Sequence, residues 1–303
     1  MSSIQIQNSY DPQNAHKGAL YLVATPIGNL EDMTYRAVKI LQEADVIAAE
    51  DTRESRKLLS HFEIQGKKLY SYHEHNKRAS GPELVRLMQE GQRIALVSDA
   101  GLPAISDPGA DLARLAVEAG IAVIPIPGAN AALSALIASG LPTDRFIFIG
   151  FLPRDRKSID ELLMTVKRES ASILLYESPH RVVKTLLRIQ EVLGNRRVAV
   201  ARELTKRYEQ FVRGTVQACI DYYETEPPLG ECCIVVEGMT AEVMESMPQE
   251  EIWWSNLSIT AHVAHYEQSE GLSRKDAMKQ AGKDRGISKR DIYQQLLSEE
   301  DES

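Results

Sequence analysis

Between Leu20 and Ile126 the chain repeats one pattern: a short apolar run, a loop, then about ten residues with helical periodicity. Leu20–Ala24, Val46–Ala49, Lys68–Tyr72, Arg93–Val97 and Ile121–Ile126 read as buried strands. A helix capped by Thr34 or Asp32, with Val38, Ile40 and Leu41 on its apolar side, separates the first two strands. Ser55–Phe62, Gly81–Glu90 and Asp111–Ala119 are the helices that follow. Such alternation implies right-handed βαβ units and a mainly parallel sheet. A second α/β set begins at Pro127-Gly-Ala-Asn130, which opens a small-residue helix, Ala131–Ser139. Phe146–Ile149, Ser172–Tyr176 and Arg197–Ala201 read as strands, with helices over Ser158–Glu169 and His180–Leu193. Gln210–Gly214 and Glu231–Glu237 are further strands, some antiparallel, because the intervals no longer always hold a helix. The expected organisation is a flexible N-terminus (1–18), two α/β domains (19–127 and 128–238), an acidic linker (239–257) and a small helical module (258–303).

That module carries two capping boxes, Ser273-Arg-Lys-Asp276 and Ser288-Lys-Arg-Asp291, with Ala277, Ala281, Ile292 and Leu296 inward. The pattern is that of a helix-turn-helix, and Leu272–Leu297 holds seven Lys/Arg against three Asp/Glu. A nucleic-acid reader and a plain helical cap or dimer contact both satisfy it.

The richest loop is Ser98-Asp-Ala-Gly-Leu-Pro-Ala-Ile-Ser-Asp-Pro-Gly109, directly after the strand that ends at Val97. Its glycines permit close approach or positive φ, its prolines stiffen it, and its Asp and Ser side chains bind N–H or hydroxyl groups. Loops in this position are where open α/β sheets bind ligands. A strand-to-helix connection with Asp107 as N-cap and Pro108 at N1 explains Asp107–Gly109, but not Asp99–Ser106.

Composition removes several classes. Apolar residues at 43% and charged residues at 26% describe an ordinary globular chain. No basic-plus-apolar leader and no membrane-length run occur, so a cytoplasmic protein with no membrane partner is expected. Cys219, Cys232 and Cys233 lack C-x-x-C spacing, which supports neither a disulfide framework nor a zinc site. His73 and His75 share a strand face without a third ligand nearby. None of the 18 glycines lies two from another, so no G-x-G-x-x-G exists, and no Walker loop, H-E-x-x-H or G-x-S-x-G is present. The net charge of −8 hides an asymmetry: Arg145–Arg213 has 15 Lys/Arg against 8 Asp/Glu, while Asp221–Glu251 has nine acidic residues and no basic one.

Six segments in order then carry a resemblance: Thr25-Pro-Ile-Gly-Asn-Leu30, Ala49-Glu-Asp-Thr-Arg53, Ser98–Gly109, Pro127-Gly128, Tyr176-Glu-Ser-Pro-His-Arg181 and Ala201-Arg-Glu-Leu-Thr-Lys206. Over about Leu20–Glu237 the chain resembles the S-adenosyl-L-methionine-dependent enzymes of the tetrapyrrole methylase fold. Within them it closely resembles the bacterial enzymes that methylate the 2′-hydroxyl of a cytidine in 16S ribosomal RNA, position 1402 in that family. The tail from Gly271 is similar to that family's C-terminal module. Where many relatives carry threonine this chain has Leu102.

The resemblance implies two α/β/α domains of the tetrapyrrole methylase type with a small helix-turn-helix-like module, the methyl donor in the cleft between the domains, no metal, a homodimer, and the small ribosomal subunit as partner. Pro26, Asp99, Gly101, Leu102, Ile105, Asn130, Ala131, Tyr176, Leu204 and Cys233 would line the donor site. Glu50, Asp51, Arg53, Glu203 and Lys206 would stand near the acceptor. Asp51 or Glu203 could accept the hydroxyl proton, and Arg53 and Lys206 could hold phosphate or lower a neighbour's pKa. RNA would be held by Arg154, Arg156, Lys157, Arg181, Arg202 and Arg207, with Arg274, Lys275, Lys289 and Arg290 in the tail. Two other readings stay open: a tetrapyrrole-like small-molecule methylase of the same fold, and a nucleic-acid-binding regulator.

Overall fold

A computed structural model describes residues 4, 6–9, 18–240 and 257–301, the last five as backbone only. The expected flexible N-terminus and acidic linker fall largely outside the described residues. The chain divides into two compact units, one up to Met239 and one from Thr240.

The first unit contains two five-stranded sheets. Strands β1 (Ala19–Val23), β2 (Val46–Ala49), β3 (Lys68–Ser71), β4 (Arg93–Val97) and β5 (Ala122–Ile126) form an all-parallel sheet in the order β3-β2-β4-β1-β5. Helices α1 (Tyr35–Glu43) and α2 (Thr52–His61) pack on one face, while α3 (Lys77–Gln89) and α4 (Gly109–Glu118) pack on the other. The alternation within β4 makes the layering visible. Ala95 and Val97 join Leu41 and Leu59, whereas Ile94 and Leu96 join Leu84 and Leu112. Because β4 lies between β1 and β2, the connections leaving β1 and β4 run in opposite directions, which opens a crevice at their C-terminal ends.

The second sheet has the order β6-β7-β10-β8-β9, from β6 (Phe146–Phe151), β7 (Ser172–Glu177), β8 (Arg197–Arg202), β9 (Gln210–Thr215) and β10 (Cys232–Val236). β6 and β7 are parallel; β10 runs antiparallel to β7 and β8, and β9 antiparallel to β8. Three helices, α6 (Arg156–Thr165), α7 (Val182–Leu193) and α8 (Val216–Thr225), bury one face. The other face receives α5 (Ala131–Ser139), whose Ala132, Ala135 and Leu136 pack on Leu174, Ala199 and Val235.

Several boundaries differ from the sequence reading. Helix α3 starts at Lys77, so Pro82 lies inside it rather than at its first turn; Asn76 turns the chain by accepting from His73 N at 2.8 Å. Helix α8 fills the interval between Gln210–Gly214 and Glu231–Glu237, where no helix was read. The helix start after the richest loop is shifted: Pro108 is the N-cap, and Asp107 closes the turn by accepting from Gly109 N at 2.6 Å and Ala104 N at 2.9 Å.

Among its described residues the second unit has three helices, α9 (Ile259–Ser269), α10 (Arg274–Arg285) and α11 (Lys289–Asp301), where two were expected. Ala277, Ala281, Ile292 and Leu296 are buried as expected, against Ile259, Val263 and Tyr266. Both capping serines act: Ser273 Oγ accepts from Asp276 N at 3.3 Å, and Ser288 Oγ from Asp291 N at 3.2 Å. A polar core crosses the unit. The fully buried His262 accepts from Arg285 Nε at Nδ1 (3.0 Å) and meets Asp284 at Nε2 (3.2 Å). Burial and the Arg285 guanidinium push the imidazole pKa down, which keeps the ring neutral with its proton on Nε2.

Candidate active site

The crevice between β1 and β4 is clasped by an isolated antiparallel bridge, in which Thr25 N donates to Gly101 O (2.9 Å) and Gly101 N to Thr25 O (3.1 Å). Gly101 has φ +79, and a Cβ there would meet Ile27 and the Ala129 carbonyl, so close packing of three loops asks for glycine. The loop then rests on the second sheet: a Cβ on Gly150 would come within 2.8 Å of Ser106 Oγ. Ala104 and Ser106 take left-handed conformations (φ 71 and 61) without being glycine. Such strain persists where surroundings over-determine the backbone, as at binding sites.

Above this loop lies a cavity of about 390 Å³, within the usual size of small-molecule sites. Its wall is assembled from the ends of β1, β2, β4, β6, β7 and β8, the start of β10 and the start of α5. Of the expected donor residues, Asp99, Gly101, Leu102, Ile105, Asn130, Ala131, Tyr176, Leu204 and Cys233 line it. Pro26 does not; it lines a neighbouring cavity of about 350 Å³. The α5 end is ordered by Asn130 Oδ1, which accepts from Leu133 N at 2.8 Å, and by Tyr176 Oη, which accepts from Ala132 N at 3.3 Å. Burial raises the Tyr176 hydroxyl pKa and pushes the Cys232 and Cys233 thiols up to about 12, so neither sulfur is a thiolate nucleophile at neutral pH.

Charge in the cavity is one-sided. Glu50, Asp99, Asp107, Glu177, Glu203 and Glu231 line it, with Lys206 as the sole Lys or Arg. Glu177 is closed off within the fold, accepting from Thr185 Oγ1 at 2.6 Å and Ser178 N at 2.8 Å. Asp107 Oδ2 is buried without a partner among the described residues. Burial, and then Asp99 and Asp107, raise the Glu50 pKa; burial raises that of Asp107 as well. A concave, partly apolar wall with clustered carboxylates favours a cationic ligand and repels a polyanion.

The acceptor candidates separate into two groups. Glu50, Glu203 and Lys206 line the cavity; Asp51 and Arg53 do not. Asp51 caps α2, accepting from Arg53 N at 2.7 Å, and binds the Arg53 guanidinium in a fork (3.2 and 2.9 Å). Those bonds pull its carboxyl pKa down to about 2, which makes it a poor proton acceptor. Asp51 also ties two loops together, since its N–H donates to Asp99 Oδ1 at 3.0 Å.

Lys206 is held by a built clamp. Its ammonium donates to Glu203 Oε1 (2.9 Å) and Glu231 Oε2 (3.3 Å). Its stem lies where a side chain on Gly28 would be, 2.4 Å from Lys206 Cγ, so a residue from the second sheet crosses onto the β1 loop. Glu203 is placed by a left-handed backbone (φ 52), and Gly230 leaves room for its carboxylate, 2.1 Å from an added Cβ. Sequence reasoning found Glu203 and Lys206 but missed Glu231, which sits in an acidic stretch with no local signal. It also missed Phe151, Ser178 and Pro179 at the far wall; the last two stand inside a segment already singled out.

The basic candidates are scattered. Arg181 donates to the carbonyls of Leu152 and Pro153 (3.1 and 2.7 Å) and stands 3.4 Å from Glu177, so it is committed to bracing the cavity wall. Arg202 bonds Gln210 at 2.7 Å. Both were expected to face RNA; Arg181, at the start of α7, is held instead by carbonyls just after β6, and Arg202 on β8 by Gln210 on β9. Arg154, Arg156 and Lys157 are exposed around the start of α6, with Arg156 3.4 Å from Glu191. Arg207 is exposed over Tyr208; Arg274, Lys275, Lys289 and Arg290 are exposed in the helical unit. Among the described residues no cluster of His, Cys, Asp or Glu could hold a metal ion, and no helix is long and apolar enough to cross a membrane.

Residues 19–219 match the family of tetrapyrrole (corrin/porphyrin) methylases. The same fold appears in the cobalt precorrin-4 methyltransferase of cobalamin biosynthesis, with TM-score 0.57 and 21% identity, over 76% of this chain and 98% of that one. The chain therefore belongs to the tetrapyrrole methylase family. Along nearly its whole length it is similar to two proteins named ribosomal RNA small subunit methyltransferase I. That of Halalkalibacterium halodurans is 54% identical over 96% of this chain and 98% of its own. That of Bacillus subtilis is 49% identical over 91% and 93% respectively.

Proposed function

We propose that this protein uses S-adenosyl-L-methionine to methylate the ribose 2′-hydroxyl of a cytidine in 16S ribosomal RNA, acting in the cytoplasm on the small ribosomal subunit. The observation that carries the reading is the carboxylate-rich cavity at the strand ends, which suits a ligand bearing a sulfonium and an ammonium. The ribosomal substrate rests on the names of the near-full-length relatives. Asp99, Gly101, Leu102, Ile105, Asn130, Ala131, Tyr176, Leu204 and Cys233 would hold the donor, and Asp107 Oδ2 offers it an unsatisfied acceptor. When bound, the donor supplies a methyl group already activated by its positive sulfur.

The chain's own work is alignment and proton removal. Glu50 is the carboxylate best suited to take the hydroxyl proton. Its pKa is raised, and it accepts no hydrogen bond from the described residues, whereas Asp51 is locked to Arg53 and Glu203 to Lys206. The ammonium of Lys206 stays protonated, because the Glu203 hydrogen bond raises its pKa, so its role is positional and electrostatic. Leu133 and Ile137, exposed on one face of α5, are apolar surface available to the proposed homodimer. The fold likeness to a precorrin enzyme favours a small-molecule acceptor as the second reading. Labelled donor offered with small subunits, naked RNA, duplex DNA or a porphyrinoid decides among these readings, including a DNA-binding regulator: label on a ribose oxygen of RNA is expected.

A further inference from the structure

The donor cavity shares a wall with the second cavity of about 350 Å³. Ile27, Ser98, Asp99, Ala100, Lys206 and Glu231 border both. The far side of the second cavity is one face of α2. Glu54, Lys57, Leu58 and His61 stand there at spacings of three and four, so their side chains present a single stripe. The floor is the Thr25–Gly28 turn, over which Lys206 lies.

A methyl group moves in line between two atoms in contact, so the acceptor must reach the donor through a shared boundary. The first cavity's carboxylates repel a phosphodiester, and its volume is that of one small ligand. The second cavity touches the donor space at Asp99 and Lys206; its lining mixes Lys57 and Lys206 with Glu54, Asp99 and Glu231, and the helix that walls it exposes further cations at its mouth. Arg53, Arg56 and Lys57 are exposed on the same helix, with the Arg53 side chain 83% accessible. Lys57 and Glu54 pair at 2.7 Å across one turn, which sets a donor beside an acceptor. A cytosine edge asks for that complement, since its amino group donates while its ring nitrogen and carbonyl accept.

Resting on the RNA methylation reading, we infer that this second cavity receives the target nucleoside, drawn out of its stack, with Glu54, Lys57 and His61 facing the base and Leu58 packing beside it. Arg53 and Arg56 then hold the flanking phosphates. Specificity for the target base thus resides on α2 rather than on the basic residues of 154–157 or of the tail.

The experiment uses the full-length protein and small ribosomal subunits carrying 5-iodocytidine at the target position. Photo-crosslinking should attach the RNA to a peptide within 53–61. In parallel, Leu58→Trp, which fills the cavity from a half-buried position, should bind S-adenosyl-L-methionine within about twofold of wild type. Its kcat/KM for unmodified subunits should drop at least ~100-fold, as expected when an acceptor is misplaced. Lys57→Ala and His61→Ala should raise KM for subunits while leaving donor affinity alone. Crosslinks confined to 154–157 or the tail, or a Leu58→Trp protein that methylates like wild type, overturn the subsite. Wild-type protein that transfers no label to RNA removes the RNA reading, and the subsite falls with it.

Discussion

Glu50→Gln should stabilise the protein while slowing its chemistry by orders of magnitude. Glu50 directly follows β2 in a half-buried position, and its pKa is raised above the ordinary 4.5 by burial first, then by Asp99 and Asp107, with His73 opposing. The folded state therefore binds this proton more tightly than the unfolded chain does. Stability associated with the group is present at low pH and is lost as pH rises from the unfolded value through the raised folded one. At neutral pH the ionised carboxylate is thus a liability, and the neutral isostere relieves it. Because the site is partly open to water, screening keeps the gain to the lower part of the usual range, about 0.5–1 kcal/mol. For a unit of this size that is roughly 1–4 °C in Tm. Loss of a general base costs on the order of 10²–10⁴ in kcat. Thermal unfolding at pH 7 and at pH 4, beside single-turnover methyl transfer, makes the test. The gain should shrink at pH 4, where wild-type Glu50 is protonated, and wild-type activity should fall on the acid side through the Glu50 titration. A Glu50→Gln protein with full activity would refute the proton-acceptor role. A large loss of Tm would refute the electrostatic account of the site.

Three further outcomes follow from the geometry. Gly230→Ala places a Cβ 2.1 Å from Glu203 Oε1 at φ +76, so Glu203 must leave and Lys206 loses its clamp; urea unfolding should show a loss of about 1–2 kcal/mol, with at least a ~10-fold fall in methyl transfer. Arg181→Ala removes the counter-charge beside the buried Glu177 and a donor from two carbonyls. It should cost roughly 2–4 kcal/mol by denaturant titration, with the salt dependence of RNA binding unchanged; a shallower salt slope at unchanged stability would restore Arg181 as a phosphate contact. Ala281→Leu overfills the fully buried centre of the helical unit, and hydrogen exchange should show that unit loosened by about 1–3 kcal/mol.

Most of the first sheet was legible because its strands are continuous apolar runs, and parallel strands buried on both faces must be such runs. Helix α8 was not legible. Its inward Val216, Cys219, Ile220 and Tyr223 are β-favouring residues, and only their spacing, backed by the Thr215 cap at 3.2 Å, betrays a helix. The start of α3 was hidden by Gly81-Pro82, which imitates a helix beginning. In the site, the loop from Asp99 to Ile105 announced itself by turn chemistry, and Glu203 and Lys206 by resemblance. Their partner Glu231 did not, because it lies 28 positions beyond Glu203, past β9 and α8, and no local pattern encodes that contact. Arg181 and Arg202 misled for the opposite reason. A guanidinium reads as free charge in sequence, and only the fold reveals that carbonyls and Gln210 have claimed it. The stripe of Glu54, Lys57, Leu58 and His61 resembles an ordinary solvated helix face until the cavity beside it is seen.

The central claim is that a cationic methyl donor sits in the carboxylate-rich crevice and its methyl group leaves for a ribose oxygen. The most direct measurement is methyl transfer from labelled S-adenosyl-L-methionine to small ribosomal subunits from cells lacking the protein, followed by digestion to nucleosides. The account predicts label in 2′-O-methylcytidine, formed at least ~100-fold more slowly with Glu50→Gln. Label on a base carbon or nitrogen, on a porphyrinoid alone, or on no acceptor at all would contradict it.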